Sequence, residues 1–424
     1  MIGFLLKGII RDRSRSLFPF LTVSLGVMLT VFLYCYINGL ETNFIDSTAR
    51  YASGHVKIMT RSYAAEADQI PNDLAYIGVN SLLEELSHQY PELIWTPRIR
   101  FAGLLDVPDE VGETKIQGPI SGIALDLFNP ESPEYSIFDL KRALVAGRLP
   151  EKMGEALLSA DLAQTMDLKP GDKVTLISST MDGSLAVANF TITGFIRFGI
   201  TALDRGAMIA DLRDIQQALD MEDAAGEILG FYKNFVYRDK EATLLAQNFN
   251  DRYKDDKDEF APLMLTLKKQ SGLAELLGMM NLFSSVLVLI FVVAMAIVLW
   301  NAGLMGSLRR YGEIGVRLAM GEDKGHLYRS LLIESAIIGF LGSLAGTALG
   351  LAVSYYLQAH GIDISSLMKS SSLLVVEVLR TKVTAFSYFI GFIPGVGASL
   401  LGTAISGLGV YRRQTSVLMK ELEG

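Results

Sequence analysis

Few side chains in this sequence have the types and spacing that catalysis or metal binding requires. The 424 residues include four histidines and one cysteine, Cys35. His55 and His88 form no Cys/His zinc set, and the acidic run at residues 254–259 lacks the glycine and spacing of a calcium loop. His55 stands at the start of a predicted strand, where a structural hydrogen bond is favoured over catalysis. The sequence therefore predicts no catalytic, metal-binding or cofactor-binding site in this chain.

Residues 307–321 combine charged, apolar and glycine residues in a short segment between two long apolar runs. A short helix held at this place can lodge in a groove of a partner protein. The alternative is a basic loop that only fixes the membrane topology. The chain has no Gly-x-x-x-x-Gly-Lys-Ser/Thr loop for nucleotide phosphates. If nucleotide drives this protein, we expect a separate ATPase chain to bind the ATP and Mg.

Four apolar runs frame this segment, and each exceeds the roughly 20 residues that a helix needs to cross a bilayer core. The runs lie at about Leu17–Gly39, Leu276–Met305, Leu331–Leu357 and Val383–Val410. Helical character in the second run extends from Leu273 to about Arg310, unless the helix breaks near Gly278. We predict an α-helical membrane protein with four transmembrane helices and a large mixed α+β extracytoplasmic domain inserted between helices 1 and 2.

The predicted divisions of the chain alternate between membrane and water. They are a cytoplasmic amphipathic helix (1–16), transmembrane helix 1 (17–39), the α+β domain (40–275), transmembrane helix 2 with a stalk (276–305), a cytoplasmic coupling segment (306–327), transmembrane helix 3 (328–357), a short extracytoplasmic loop (358–382), transmembrane helix 4 (383–410) and a cytoplasmic tail (411–424). The alternative for the first segment is a disordered basic tail. We expect helix 1 to be an uncleaved anchor, because no clear signal-peptide cleavage site follows it.

Charge separates along the chain in the same way. Residues 40–275 contain 23 Lys and Arg against 37 Asp and Glu, a net charge of −14, whereas the rest of the chain carries +6. Basic residues cluster before the first apolar run, between the second and third, and after the fourth. By the positive-inside rule these three segments are cytoplasmic, which places both termini inside and the large domain outside. Because the basic charge flanks the membrane spans, it gives no reason to expect nucleic acid binding.

Small residues mark the expected helix contacts in the membrane. Gly339, Gly342, Gly346 and Gly350 recur along the third run and predict a face on which another helix packs closely. Pro394 among glycines predicts a kink in the fourth run. Glu334 lies within the third run, slightly inside the cytoplasmic boundary, where an ionisable residue is a functional candidate; the alternative is that it snorkels or pairs with Arg329.

The large domain mixes strand and helix patterns. The strand candidates include His55–Met59, Arg98–Leu105, Lys173–Ser178, Phe190–Ile196, Ala207–Ile209 and Phe231–Tyr237. The helix candidates include Asn80–Gln89, Ser159–Met166, Leu212–Leu219 and Glu241–Tyr253. A mixed α+β domain follows from this alternation.

The segment at 307–321 resembles the coupling segment of MacB/LolC/LolE/FtsX-type permeases of ABC transporters, whose pattern is approximately Arg-x-x-Glu-Ile-Gly-x-Arg-x-Ala-x-Gly. The order of one span, a large domain and three spans is similar as well. The run Ser-Gly-His-Val-Lys-Ile at 53–58 looks closest to the lipoprotein-releasing branch. The resemblance implies that the ATPase-coupling residues are Arg309, Arg310, Glu313, Ile314, Gly315, Arg317, Ala319, Met320 and Gly321.

The resemblance also implies a function and a set of partners. It implies a non-catalytic permease subunit in the bacterial inner membrane, which transmits movement from a separate ABC-type ATPase. The expected partners are that ATPase, a second permease copy or paralogue, the lipid bilayer and a lipoprotein or periplasmic carrier, with no nucleic acid. The expected cargo is a lipoprotein or other amphipathic molecule taken from the outer leaflet. The alternatives are efflux of a drug, peptide or toxin, regulation of a cell-wall hydrolase, and a membrane-tethered sensor or enzyme that needs no ATPase.

Overall fold

The structure is a computed structural model that describes residues 13–109, 112–129, 131–199, 201–270, 272–308, 311–363 and 378–412. The predicted amphipathic helix (1–16) and tail (411–424) lie almost wholly outside these ranges, as does the middle of the loop at 358–382. Two compact units divide the chain. The membrane unit comprises Met1–Thr42, Met279–Ile362 and Leu379–Gly424, and the large domain comprises Asn43–Gly278 and Asp363–Val378.

Four helical segments of the described chain are long and apolar enough to cross a membrane. They are Leu17–Ser53, Leu273–Asn301, Lys324–His360 and Ala385–Gly407. A mixed domain containing a ten-stranded sheet lies between the first and second. The predicted fold class, four membrane helices with a large α+β domain inserted after the first, is therefore confirmed.

Regular elements occupy most of both units. The α-helices, in chain order, are α1 Arg13–Thr48, α2 Arg61–Ala65, α3 Val79–Gln89, α4 Glu134–Ile137, α5 Leu140–Ala143, α6 Ala160–Thr165, α7 Thr201–Asp204, α8 Leu212–Ala218, α9 Asp239–Arg252, α10 Leu273–Leu308, α11 Tyr311–Ala319, α12 Lys324–His360 and α13 Ser399–Arg412. The strands are β1 Val56–Thr60, β2 Tyr76–Ile77, β3 Leu93–Pro108, β4 Thr114–Leu125, β5 Leu144–Gly147, β6 Glu155–Ser159, β7 Lys173–Ser179, β8 Leu185–Ile196, β9 Ala207–Asp211, β10 Ala224–Ala225, β11 Glu227–Tyr232, β12 Pro262–Thr266, β13 Ile362–Asp363 and β14 Val378–Leu379.

The first two membrane helices are long. Helix α1 has 36 residues with Pro19 inside, and it continues nine residues past the Gly39 at which the sequence predicted its end. Helix α10 also has 36 residues, and Gly278 lies within it rather than at a break. One glycine weakens a helix by only about 1 kcal/mol, so the apolar residues on either side keep α10 continuous.

Helix α12 packs against α1 through a row of glycines. A Cβ atom added at Gly342 would lie 2.8 Å from the Val23 side chain, and one added at Gly346 would overlap the backbone oxygen of Ser24. Gly350 lies against the same helix. The absence of side chains on this face lets the two backbones approach closely, which is how helices associate where lipid removes the hydrophobic driving force.

The fourth span is irregular rather than one bent α-helix. It begins with a 3₁₀ turn at Ala385–Tyr388, passes through a π-helical stretch at Ile393–Ala398 and becomes regular only in α13. Pro394 has no N–H to donate to the preceding turn, which accounts for the break in regularity. Gly391 lies against α1 in this irregular part.

Backbone contacts tie one end of the membrane helices together. The Lys382 N–H donates to the carbonyl oxygen of Cys35 at 2.9 Å, and the Thr381 hydroxyl donates to the Ser354 carbonyl at 2.6 Å. The Gly39 backbone lies directly against Arg380. Cys35 itself is fully buried in the cluster of apolar side chains that these contacts enclose.

Six strands of the large domain close into a ring. Strand β3 pairs with β4, β4 with β9, β9 with β6, β6 with β8, β8 with β7, and β7 returns to β3. Residues that point into the ring, such as Leu105, Leu176 and Phe190, are buried in the main hydrophobic core. Strand β3 continues past the ring to pair with β11, to which β1 and then β12 add.

Buried ion pairs and a side-chain bridge complete this extension of the sheet. Arg98 Nε lies 2.8 Å from Glu134 Oε1, and both side chains are almost fully buried.

At the outer edge of β12, the Asn250 amide donates to Met264 O at 2.9 Å and accepts from Met264 N at 2.8 Å. These two hydrogen bonds occupy backbone groups that an edge strand otherwise leaves open.

The glycine row makes a testable prediction about stability. We expect Gly346→Ala to lower the free energy of unfolding by about 1–3 kcal/mol, because its methyl group would overlap α1. Gly278→Ala is the matched control, since a Cβ there meets nothing within 4 Å inside a helix. Thermal unfolding of the solubilised chain measures both, and equal midpoints for the two variants would contradict the packing described above.

Candidate functional site

The segment predicted to couple to a partner folds as helix α11 with a well-defined end. The Glu322 N–H donates to Arg317 O and the Gly321 N–H donates to Leu318 O, each at 3.1 Å. This pair of bonds is the Schellman motif, which needs a left-handed residue after the helix. Gly321 supplies it with a φ of 93°. The glycine in the sequence pattern therefore terminates the helix.

Glu322 connects α11 to α12. Its Oε2 lies 3.4 Å from Arg317 Nε, and its Oε1 lies 3.0 Å from His326 Nδ1. Asp323 then caps α12, because its carboxylate accepts hydrogen bonds from the N–H groups of Gly325 and His326. The turn between the two helices is therefore held by side chains as well as by backbone.

Two apolar side chains of this segment are exposed. Val316 is 42% exposed and Met320 is 75% exposed. Their spacing of four residues places them on one side of the helical turn, which the Met320 N–H closes by donating to Val316 O at 3.0 Å. An exposed apolar pair on a short helix, with Arg317 between its members, is a surface suited to a protein partner.

The remaining predicted coupling residues are only partly described. Gly315 is buried and Ala319 is exposed. Glu313 and Ile314 lie within helix α11. Arg309 and Arg310 lie outside the described residues. Their roles in coupling stay predictions.

Glu334 lies half-buried on α12 and has an interaction partner. The next residue, Ser335, donates to the Ser399 carbonyl at 2.9 Å and accepts from the Thr403 hydroxyl at 2.9 Å. Gly339 lies one turn further on, against Gly395 of the fourth span. The part of α12 from Ser335 to Gly339 therefore makes polar and small-residue contacts with the fourth span.

A cavity of about 450 Å³ lies between α1, α10 and the start of the fourth span. On α1 its lining runs from Tyr34 to Glu41, and on α10 from Asn281 to Val292. On both helices the polar residues lie toward one end of the lining and the apolar ones toward the other, so the cavity is polar at one end and apolar at the other. Sequence reasoning missed this cavity. Asn38 and Asn281, near the ends of apolar runs, were its only signal.

His55 has a structural role in the large domain. It is 2% exposed, and its Nδ1 accepts a hydrogen bond from the Tyr232 N–H at 2.9 Å. The ring stacks on Tyr232 and contacts Phe231 edge-on. Burial, with a smaller contribution from Arg50, lowers the pKa of His55 to about 4. The imidazole is therefore neutral near pH 7, as an acceptor of this bond must be.

Comparison with known proteins finds similarity mainly in the membrane unit. Residues 285–415 match the family described as FtsX-like permease C-terminal. The macrolide export ATP-binding/permease protein MacB of Neisseria meningitidis serogroup A is 32% identical over 124 residues, which cover 29% of this chain and 19% of that protein. The lipoprotein-releasing system transmembrane protein LolC of Xylella fastidiosa is 24% identical over 210 residues, 48% of each chain.

The chain spans about half or less of the length of these curated relatives. Among solved structures, the periplasmic region of MacB from Actinobacillus actinomycetemcomitans aligns with 52% of this chain and 92% of its own, at a TM-score of 0.35 and 12% identity. The predicted similarity to permeases of the MacB, LolC and FtsX type is confirmed by the family match and the named relatives.

The Schellman motif makes a prediction about local order. We expect Gly321→Val to raise amide hydrogen exchange of residues 317–322, because a β-branched residue at this φ costs at least about 1 kcal/mol. Gly321→Asn is the control, since asparagine tolerates the left-handed region. A Cβ there meets no other atom within 4 Å, so backbone conformation alone separates the variants. Equal exchange in both would contradict the prediction.

His55 makes a prediction about pH. The unfolded side chain gains a proton near its ordinary pKa of 6.5, whereas the folded one does so only near 4. Lowering the pH between these values therefore favours the unfolded state, by up to about 3 kcal/mol. We expect His55→Asn, which keeps an acceptor for Tyr232, to be less stable at pH 7 but to lose less stability on acidification. Denaturant midpoints between pH 7 and 4.5 measure the slope, and parallel slopes would contradict the assignment.

Proposed function

Since the chain is similar to MacB, LolC and FtsX-type permeases, we propose that it is the membrane subunit of an ATP-driven ABC complex in the bacterial inner membrane. A separate ATPase chain docks on α11 and supplies nucleotide binding. The observation that carries this proposal is the exposed apolar pair Val316, in α11, and Met320, directly after its last residue, inside the region that matches the permease family.

The connections of α11 explain how docking would move the membrane helices. Only two residues separate the end of α10 at Leu308 from the start of α11 at Tyr311, and four separate Ala319 from Lys324. Glu322 and Asp323 further restrict the second connection. A displacement of α11 by the ATPase would therefore also move α10 and α12, because the connections are too short for α11 to move far on its own. Both termini and α11 lie in the cytoplasm in this proposal, and the large domain lies outside.

The cargo we propose is a lipoprotein or another amphipathic molecule from the outer leaflet. The cavity of the membrane unit supports this, because Asn38 and Glu41 line its polar end and Val288 and Ile390 line its apolar part. The relative named as lipoprotein-releasing supports it as well. We further propose that two permease copies, or this chain and a paralogue, assemble with two ATPases.

Macrolide-like cargo is the second candidate, because other relatives are named as macrolide exporters. Deletion of the gene separates the two candidates. Accumulation of lipidated protein in the inner membrane supports the first, and a lowered macrolide tolerance with normal lipoprotein traffic supports the second.

The docking proposal predicts a specific loss of function. We expect Met320→Asp to weaken association with the ATPase about tenfold or more, because a charge would enter an apolar contact. Met153→Asp is the matched control, since Met153 is also an exposed methionine, at 58%, but lies in the large domain. The measurement is ATPase subunit recovered with the tagged chain from gently solubilised membranes, together with its hydrolysis rate.

Two outcomes would overturn this proposal. One is purification of the chain from its native membrane with no ATPase subunit. The other is undiminished recovery and hydrolysis with Met320→Asp while the chain remains folded.

A further inference from the structure

The outside of the strand ring in the large domain is unevenly covered. Helices α4 and α5 cover the arc formed by β4, β9 and β6, where Ile123, Leu157 and Ile209 are buried in a second hydrophobic cluster. On the arc formed by β3, β7 and β8, outward-facing residues such as Leu104 and Val187 are exposed to solvent in the described structure. This arc, from here on the open arc, is the part of the ring to which a second protein has access.

The open arc carries apolar side chains where a solvated sheet face normally carries polar ones. The strand registers place Leu104 opposite Ile177, and Ile177 opposite Val187. Leu104 is 42% exposed, Val187 is 60% exposed, and Leu185 on the same face is 74% exposed. Their inward neighbours, such as Leu176, are buried, so side chains alternate regularly between the inside and the outside of the ring along each strand. The exposed row is therefore a surface feature of a well-formed sheet.

An acidic cavity lies at one end of this row. Its volume is about 600 Å³, and its lining includes Asn72, Asp73, Ala102 and Asp182. Ala102 faces outward two residues before Leu104, so the cavity opens onto the open arc. Asp73 and Asp182 are exposed and have no ion-pair partner among the described residues.

Unused hydrogen-bond acceptors accompany these carboxylates. The Asn72 amide nitrogen donates to the Arg100 carbonyl at 2.9 Å, but its Oδ1 is buried without a donor. On the other side of the row, Asp106 also has a carboxylate oxygen that is buried without a donor. Both atoms are buried, so a docking partner does not reach them. The exposed carboxylates of Asp73 and Asp182 are what favour a positively charged group in the cavity.

We propose that the open arc docks a second, different protein that presents an apolar ridge between basic side chains. The ridge packs on Leu104, Ile177, Leu185 and Val187. A Lys or Arg side chain enters the cavity between Asp73 and Asp182. A second copy of this chain is a poor occupant, because residues 40–275 carry a net charge of −14 and a symmetric contact would oppose like charges.

The inference uses the large domain alone and does not depend on the ATPase proposed for α11. Its test places a photo-crosslinking amino acid at Val187 in the full chain in its native membrane. The matched control places the same group at Val236, which is 55% exposed elsewhere in the large domain. Mass spectrometry of the adduct identifies the protein and the segment attached.

We expect an adduct at position 187, absent at 236, whose attached segment has apolar residues flanked by Lys or Arg. The double variant Asp73→Lys, Asp182→Lys should reduce that adduct about tenfold or more, because charge reversal opposes the basic side chains. Its thermal unfolding should match the parent, since both side chains are exposed. An adduct only with a second copy, no protein adduct, or an adduct that the double variant leaves unchanged would each overturn the proposal. If one of these outcomes occurs while the ATPase subunit is still recovered normally with the same variants, only this inference fails and the function proposed above is unaffected.

Discussion

The membrane unit depends on how closely other helices approach α1. Glycines on α12 let that helix lie against the α1 backbone, and Gly391 does the same for the fourth span. On α1 itself, Gly26 makes room for Met295 of α10. One helix therefore has a small-residue contact with each of the other three spans. Because lipid tails are as apolar as leucine, such packing replaces the hydrophobic effect as the source of association.

Helix α11 combines a fixed C-terminal end with exposed apolar side chains. Gly321 and Glu322 fix where α11 ends and how α12 begins, whereas Val316 and Met320 remain exposed to water. Burying those two side chains within the chain itself would stabilise the monomer. The proposed docking of an ATPase would use this exposure, and the turn held by Gly321 and Glu322 would let that partner act on the membrane helices.

Local pattern in the sequence predicted the four spans, the domain class and most helices, because their apolar periodicity is strong. It failed where structure depends on distant pairing. Strand β4 was not predicted, because Gly118, Pro119 and Gly122 interrupt its pattern. The proline is tolerated because β9 pairs with β4 only from Ser121 onward, so the missing N–H of Pro119 leaves that pairing intact. The strand predicted at Phe231–Tyr237 ends at Tyr232. The ring closure, the membrane cavity and the open arc all arise from strands or helices far apart in sequence.

The seclusion of Cys35 has a practical consequence. The only sulfhydryl in the chain is enclosed by helices and is 0% accessible, so it is shielded from water-borne maleimides and oxidants. The native protein can therefore receive single engineered thiols for spin or fluorescent reporters without first losing a residue from its interior. Conformational cycling can thus be followed in an otherwise unaltered chain.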